Sequence, residues 1–122
     1  MAISIVRLGS PRAKAEGPRL GTVRRPPRGV KKQDYAKRDY YDVWLPDLAP
    51  SAALIKLAHR DWKIFARRYR REMREQENLL TLLAQLSHTA DLAVGCYCED
   101  EKHCHRSILR QILAEHGARI SK

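Results

Sequence analysis

The stretch from Asp91 to Gly117 constrains this chain more than any other. Asp91 to Tyr97 (DLAVGCY) is a short run of small and apolar residues, uncharged after its first position. Runs of this kind form strands buried on both faces, as in parallel sheets. A polar turn, Glu99 to Lys102, follows it. Then Ile108, Leu109, Ile112 and Leu113 recur at helical spacing to His116, and Gly117 is placed to end that helix. A buried strand feeding an amphipathic helix is the building block of α/β folds.

The remaining segments extend this reading. Ile3 to Leu8 is β-branched and predicts a first strand, and Leu20 to Arg24 predicts a second that Pro26-Pro27 ends. Arg24 to Arg38 is basic and without period, a long surface loop. Tyr40 to Leu45 (YYDVWL) predicts a third strand. Ser51 is expected to cap a helix over about 52–59. Asp61 is expected to cap a longer one to about Gln76, in which Trp62, Phe65, Tyr69 and Met73 mark the core face. Asn78 is expected to cap a helix from Leu79 to Leu86. The order predicts a single domain over residues 1–122. It is a compact three-layer α/β fold with a small, mostly parallel sheet, a basic loop at about 24–38 and a C-terminal strand–loop–helix at 91–117.

Composition excludes several classes. With 43% apolar and 31% charged residues the chain is neither disordered nor collagen-like. No run approaches the roughly 18 apolar residues of a membrane span, so no membrane association is expected. The first ten residues lack the order of an export signal, so the expected location is the cytoplasm. The 24 basic and 14 acidic residues give a net charge of +10, concentrated in two places. Residues 1–38 hold 11 Lys or Arg against Glu16 and Asp34. Residues 60–74 hold seven, among them Arg67, Arg68, Arg71 and Arg74, against Asp61 and Glu72. Such a field attracts polyanions, so small anionic ligands and nonspecific nucleic acid are the expected partners. Neither the oligomeric state nor any cofactor is readable.

The chemistry is concentrated between Gly95 and Ser107 (GCYCEDEKHCHRS). Cys96, Cys98 and Cys104 fall within nine positions, and an odd count argues against a disulfide framework. In open α/β sheets, ligands bind beyond the carboxyl ends of strands, where this loop lies. A helix start offers unpaired amides to an anion. Arg106 and Ser107 in its first turn offer further donors. Cys104, beside His103, His105 and Arg106, is expected to have a lowered thiol pKa and to alkylate faster than Cys96. The candidate catalytic residues are therefore Cys98, Cys104, His105 and Arg106, and the candidate ligand-binding residues Arg28, His103, Arg106 and Ser107. Two alternatives stand beside a thiol or small-anion site. One is a basic nucleic-acid-associated protein. The other is zinc held by Cys96, Cys98, Cys104 and a histidine, since Cys96 and Cys98 would share one face of a strand.

Three segments in order resemble the YeaO-like proteins of the domain of unknown function 488 family: YDVWLPDLAPS (Tyr41 to Ser51), ARRYRREM (Ala66 to Met73) and GCYCEDEKHCHRS. Pro27 to Lys32 (PRGVKK) is similar to that family's Pro-Arg-Gly-Val loop. The likeness covers about residues 20 to 117. It implies a compact Rossmann-like α/β fold and no settled activity. The family's recurrent positions fall here on Arg28, Trp44, Cys98, Cys104, His105 and Arg106. The chain departs from the family before Arg28: Arg24 to Pro27 is shorter and more basic than the usual aromatic-bearing loop.

Overall fold

A computed structural model describes residues 1–121. Four parallel strands form one sheet: β1 (Ile3–Arg7), β2 (Arg19–Gly21), β3 (Val43–Trp44) and β4 (Leu92–Cys96), in the order β1-β4-β2-β3. The apolar run therefore lies inside the sheet, between β1 and β2, with all five of its strand residues buried. Gly95 has a steric reason to be glycine. A Cβ there would lie 2.5 Å from the Val6 carbonyl oxygen.

The helices are α1 (Ala52–Ile55), α2 (Trp62–Met73), α3 (Glu77–Leu86) and α4 (His105–Glu115). The Ser51 hydroxyl accepts from the Leu54 amide at 3.3 Å, and the Asp61 carboxylate from the Ile64 amide at 3.1 Å. Each such cap stabilises by about 1 kcal/mol. Phe65, Tyr69 and Met73 of α2 join Leu80, Leu109 and Leu113 in one core with Ile3, Leu92 and Val94 of the sheet. A second, smaller core gathers Leu8, Val23, Tyr41, Cys96 and Cys104. Gly117, at φ +89°, follows α4 in the left-handed conformation that ends helices.

The local differences from expectation have local causes. The third strand shrinks to two ladder residues, flanked by the Asp42 and Leu45 amides donating to the Arg19 and Gly21 carbonyls at 2.9 Å, and the Tyr41 ring packs against Gly21. After Gly21 the Thr22 amide still donates to the Gly95 carbonyl, at 3.0 Å. The chain then leaves the sheet, and the Arg24 guanidinium donates to the carbonyls of Pro46, Ala49 and Pro50. The helix expected to His59 ends at Ile55 in turns. Asn78 lies inside α3, which starts at Glu77 without a side-chain cap.

Arg19, counted above with the basic surface, is instead wholly buried. Its guanidinium pairs with the buried Glu16 and donates to the carbonyls of Ser10 (2.8 Å) and Asp39 (2.6 Å). The Asp42 carboxylate accepts from the Arg19 amide at 2.7 Å and from Arg12 at 2.8 Å. These bonds tie the loop after β1 to the loop before β3. No helix among the described residues is long and apolar enough to cross a membrane.

Candidate functional site

The carboxyl end of β4 supplies the first thiol. Cys96 closes the strand, and after the intervening loop Cys104 stands as the N-cap residue of α4. Both are buried, with their Sγ atoms 2.7 Å apart. Cys98 is exposed above them. Its amide donates to Cys96 Sγ at 3.4 Å.

His105 completes the cluster. It is 7% exposed and contacts the edge of the Tyr69 ring. Its Nε2 lies 2.7 Å from the Thr22 carbonyl oxygen and 3.2 Å from the Thr22 hydroxyl. A carbonyl only accepts, so Nε2 carries the proton and Nδ1 keeps its lone pair. That Nδ1 lies 3.7 Å from Cys104 Sγ. Burial lowers the His105 pKa to about 4, so the ring is neutral at pH 7.

The thiols divide by environment. Contacts with Cys104 and Cys98, reinforced by burial, push the Cys96 thiol up. Contact with Cys96 pulls the Cys104 thiol down, but Cys98 and burial outweigh it, and the net shift is upward. Cys98 moves the other way. The Cys104 and Cys96 thiols favour its thiolate, and the Arg106 charge adds to them. The expectation of a lowered pKa at Cys104 is therefore corrected. Proximity to a helix start does not overcome burial beside the neighbouring thiols, and the thiol whose pKa is lowered is Cys98.

These groups floor a cavity of about 740 Å³. Phe65, Tyr40, Tyr97 and Pro27 give it apolar walls. Arg7, Arg25, Arg28, Lys56, His59 and His103 bring cationic or protonatable groups to its lining. Among the described residues no Asp or Glu lines it. Two acids of the adjacent loop are engaged at its edge, Glu99 with Arg7 (3.3 Å) and Asp100 with His103 Nδ1 (2.9 Å).

Of the expected site residues, Arg28, Cys98, His103, Cys104 and His105 meet around this one cavity. Arg106 and Ser107 do not line it. Arg106 is buried and donates to the Cys98 carbonyl at 2.6 Å, and the Ser107 hydroxyl donates to the Cys104 carbonyl at 3.0 Å. Both brace the loop that carries the thiols. Trp44 stands outside, its Nε1 donating to the Val23 carbonyl at 2.7 Å. The arginines of α2 and its C-cap are also elsewhere: Arg67, Arg68, Arg71 and the capping Arg74 are exposed, and Arg70 pairs with Glu115 at 3.0 Å.

A model of the family DUF488-N3a, described as the active DUF488-N3 subclade, matches residues 3–117. The chain belongs to this family. The assignment bears out the resemblance carried by the three motifs. No curated protein and no solved structure matches the chain. Within this DUF488-N3a chain, Thr22, Lys56 and His59 are site residues that the sequence did not mark. Thr22 reaches His105 across 83 positions, a contact only the folded sheet creates.

Proposed function

We propose that this DUF488-N3a chain is an enzyme of thiol chemistry acting on a small anionic substrate, with Cys98 as its nucleophile. The observation that carries the reading is one juxtaposition. An exposed thiol sits on two buried thiols and a neutral histidine, at a cavity lined by cations and free of carboxylates among the described residues. Arg28 and His103 draw the anion, while Arg106 and Ser107 hold the loop. Cys104 and His105 form the base of the site. The description of the subclade as active supports an enzymatic role.

Competing alkylation tests this reading. Brief iodoacetamide treatment of the native protein is expected to label Cys98 first. Anionic iodoacetate should gain on neutral iodoacetamide several-fold relative to free cysteine, with the gain falling as salt rises. Arg28→Ala should reduce that gain. Labelling of Cys96 or Cys104 before Cys98, or no labelling without denaturant, would refute the proposal.

A second reading has its own observation. Ligand atoms of Cys96, Cys104 and His105 lie within 4.8 Å of one another, and the Nε2–H bond to the Thr22 carbonyl leaves Nδ1 free to bind zinc. Two thiolates on one tetrahedral zinc stand about 3.8 Å apart, given Zn–S bonds of about 2.3 Å. The 2.7 Å pair would have to open by about an ångström, whereas the thiol reading needs no movement. Elemental analysis of protein purified without chelator separates the two. About one equivalent of zinc supports the metal reading, and none supports the thiol reading.

A further inference from the structure

A single nucleophilic thiol needs no second thiol beneath it, yet Cys98 rests on two. We infer that the site carries out thiol–disulfide exchange with low-molecular-weight disulfides that bear carboxylates, with Cys98 attacking and Cys104 resolving. The inference rests on the reading of Cys98 as the nucleophile and adds the substrate class and the second thiol's task.

Three features point there. Cys98 is the exposed thiol, so an incoming disulfide meets it first. Any adduct on Cys98 forms beside the buried pair: the Cys98 amide meets Cys96 Sγ at 3.4 Å, Cys96 Sγ lies 2.7 Å from Cys104 Sγ, and Cys104 is the one with His105 Nδ1 beside it, so the second displacement is intramolecular. The cavity sets the substrate. Its volume, about 740 Å³, suits a molecule of peptide size. Arg25, Arg28 and Lys56 are exposed at it and match carboxylates.

The chemistry closes in two displacements. The Cys98 thiolate attacks one sulfur of the substrate disulfide. The substrate S–S bond breaks, one half departs as a thiolate, and the other half stays bonded to Cys98. Cys104 Sγ then attacks Cys98 Sγ, and the Cys98–substrate bond breaks. A Cys98–Cys104 disulfide forms and the second half departs as a thiolate. The Cys104 proton passes to His105 Nδ1, 3.7 Å from the sulfur, and from there to the departing thiolate. The substrate gains two electrons and the cysteine pair loses two. An added dithiol such as dithiothreitol reverses the change and resets the site.

The test uses the whole reduced protein with oxidised glutathione, and with cystamine, a disulfide bearing ammonium groups instead of carboxylates. Intact mass and peptide mapping follow each reaction. Wild type is expected to lose two hydrogens, to retain no glutathionyl group and to map as Cys98–Cys104. Cys104→Ala should retain one glutathionyl group on Cys98, whereas Cys96→Ala, slowed though it is by the loss of a thiol that favours the Cys98 thiolate, should still map as Cys98–Cys104 with no glutathionyl group retained. Oxidised glutathione should react about tenfold faster than cystamine at low salt, with the ratio shrinking as salt rises. Mapping of the wild-type disulfide needs no variant, so a variant that fails to fold does not block the result. A retained adduct in wild type overturns the inference, as does a disulfide joining Cys96 to Cys104 or a cystamine rate equal to or above that of glutathione. Cys98 that alkylates but reacts with no disulfide overturns the exchange and leaves the nucleophile standing. Cys98 that does not alkylate overturns both.

Discussion

Two polar clusters are buried in this small molecule, and they are built on opposite principles. Around Arg19 every strong group is answered: Glu16 against the guanidinium, the Ser10 and Asp39 carbonyls on its N–H groups, and Asp42 on its amide. Around Cys96, Cys104 and His105 the groups are neutral at pH 7, and they retain a lone pair and an exposed neighbouring thiol. The first cluster has no capacity left and ties loops together. The second keeps capacity in reserve and opens onto a cavity. Buried polarity therefore marks a site here only where it is incompletely matched.

The sharpest way to break that contrast is Arg19→Ala. It leaves the Glu16 carboxylate buried without its partner, and loss of one member of a buried pair costs about 3–5 kcal/mol. Urea denaturation should show that loss, with thiol reactivity kept in whatever fraction stays folded. A change below about 1 kcal/mol would mean that the Arg19 cluster is not the clamp described.

The next effect comes from pH. The folded pKa of His105, about 4, lies below the usual value of about 6.5, because the buried ring resists charging. Between these values the unfolded chain binds the proton and the folded one does not. The contribution is therefore fully present above pH 6.5 and is lost as pH falls to about 4. The full difference is about 3 kcal/mol. Carboxylates held low by their partners, such as Glu16 and Asp42, add acid sensitivity lower in the same range, so the comparison must be made against His105→Asn. The variant's stability should be the flatter of the two between pH 6.5 and 4. Equal slopes would show that His105 is not buried neutral.

Gly95→Ala should cost about 1–3 kcal/mol, since a Cβ would meet the Val6 backbone 2.5 Å away. It tests whether β4 is packed as tightly as the site above it requires. Thr22→Val should be the mildest, at about 1 kcal/mol, because the Thr22 carbonyl still accepts from His105 Nε2. Its value lies in the proton nuclear resonance of that ring, which should keep the same tautomer. A switch of tautomer would transfer the orienting role from the carbonyl to the hydroxyl.

The sequence made the frame legible wherever a local pattern has a local cause. Apolar run and helical spacing gave β4 and α4. Ser51, Asp61 and Gly117 act at their own helix ends, where their side chain or backbone freedom is used. It was less legible where the outcome depends on what arrives from far along the chain. Arg19 sits in a basic tract and reads as surface until Glu16 and two carbonyls close on it. Thr22 carries no mark of its role, which β4 creates by placing α4 beside it. The thiols show the same limit. The run from Cys96 to Arg106 marks the place of the chemistry. Which thiol is exposed depends on the turn after β4, and that turn leaves Cys98 outside and Cys104 beneath.

The aromatic face of α2 has an optical consequence. Trp62 stacks on Phe65, with centroids 5.1 Å apart, and meets the edge of His103 at 5.5 Å. His103 lies on the cavity lining, so an anion placed beside it would change the electric field across the Trp62 indole. Trp44, the second indole of the chain, is held at the sheet edge and contributes a steady background. Emission from Trp62 would thus report occupancy under the proposed anion binding, readable by stopped-flow fluorescence without any attached dye.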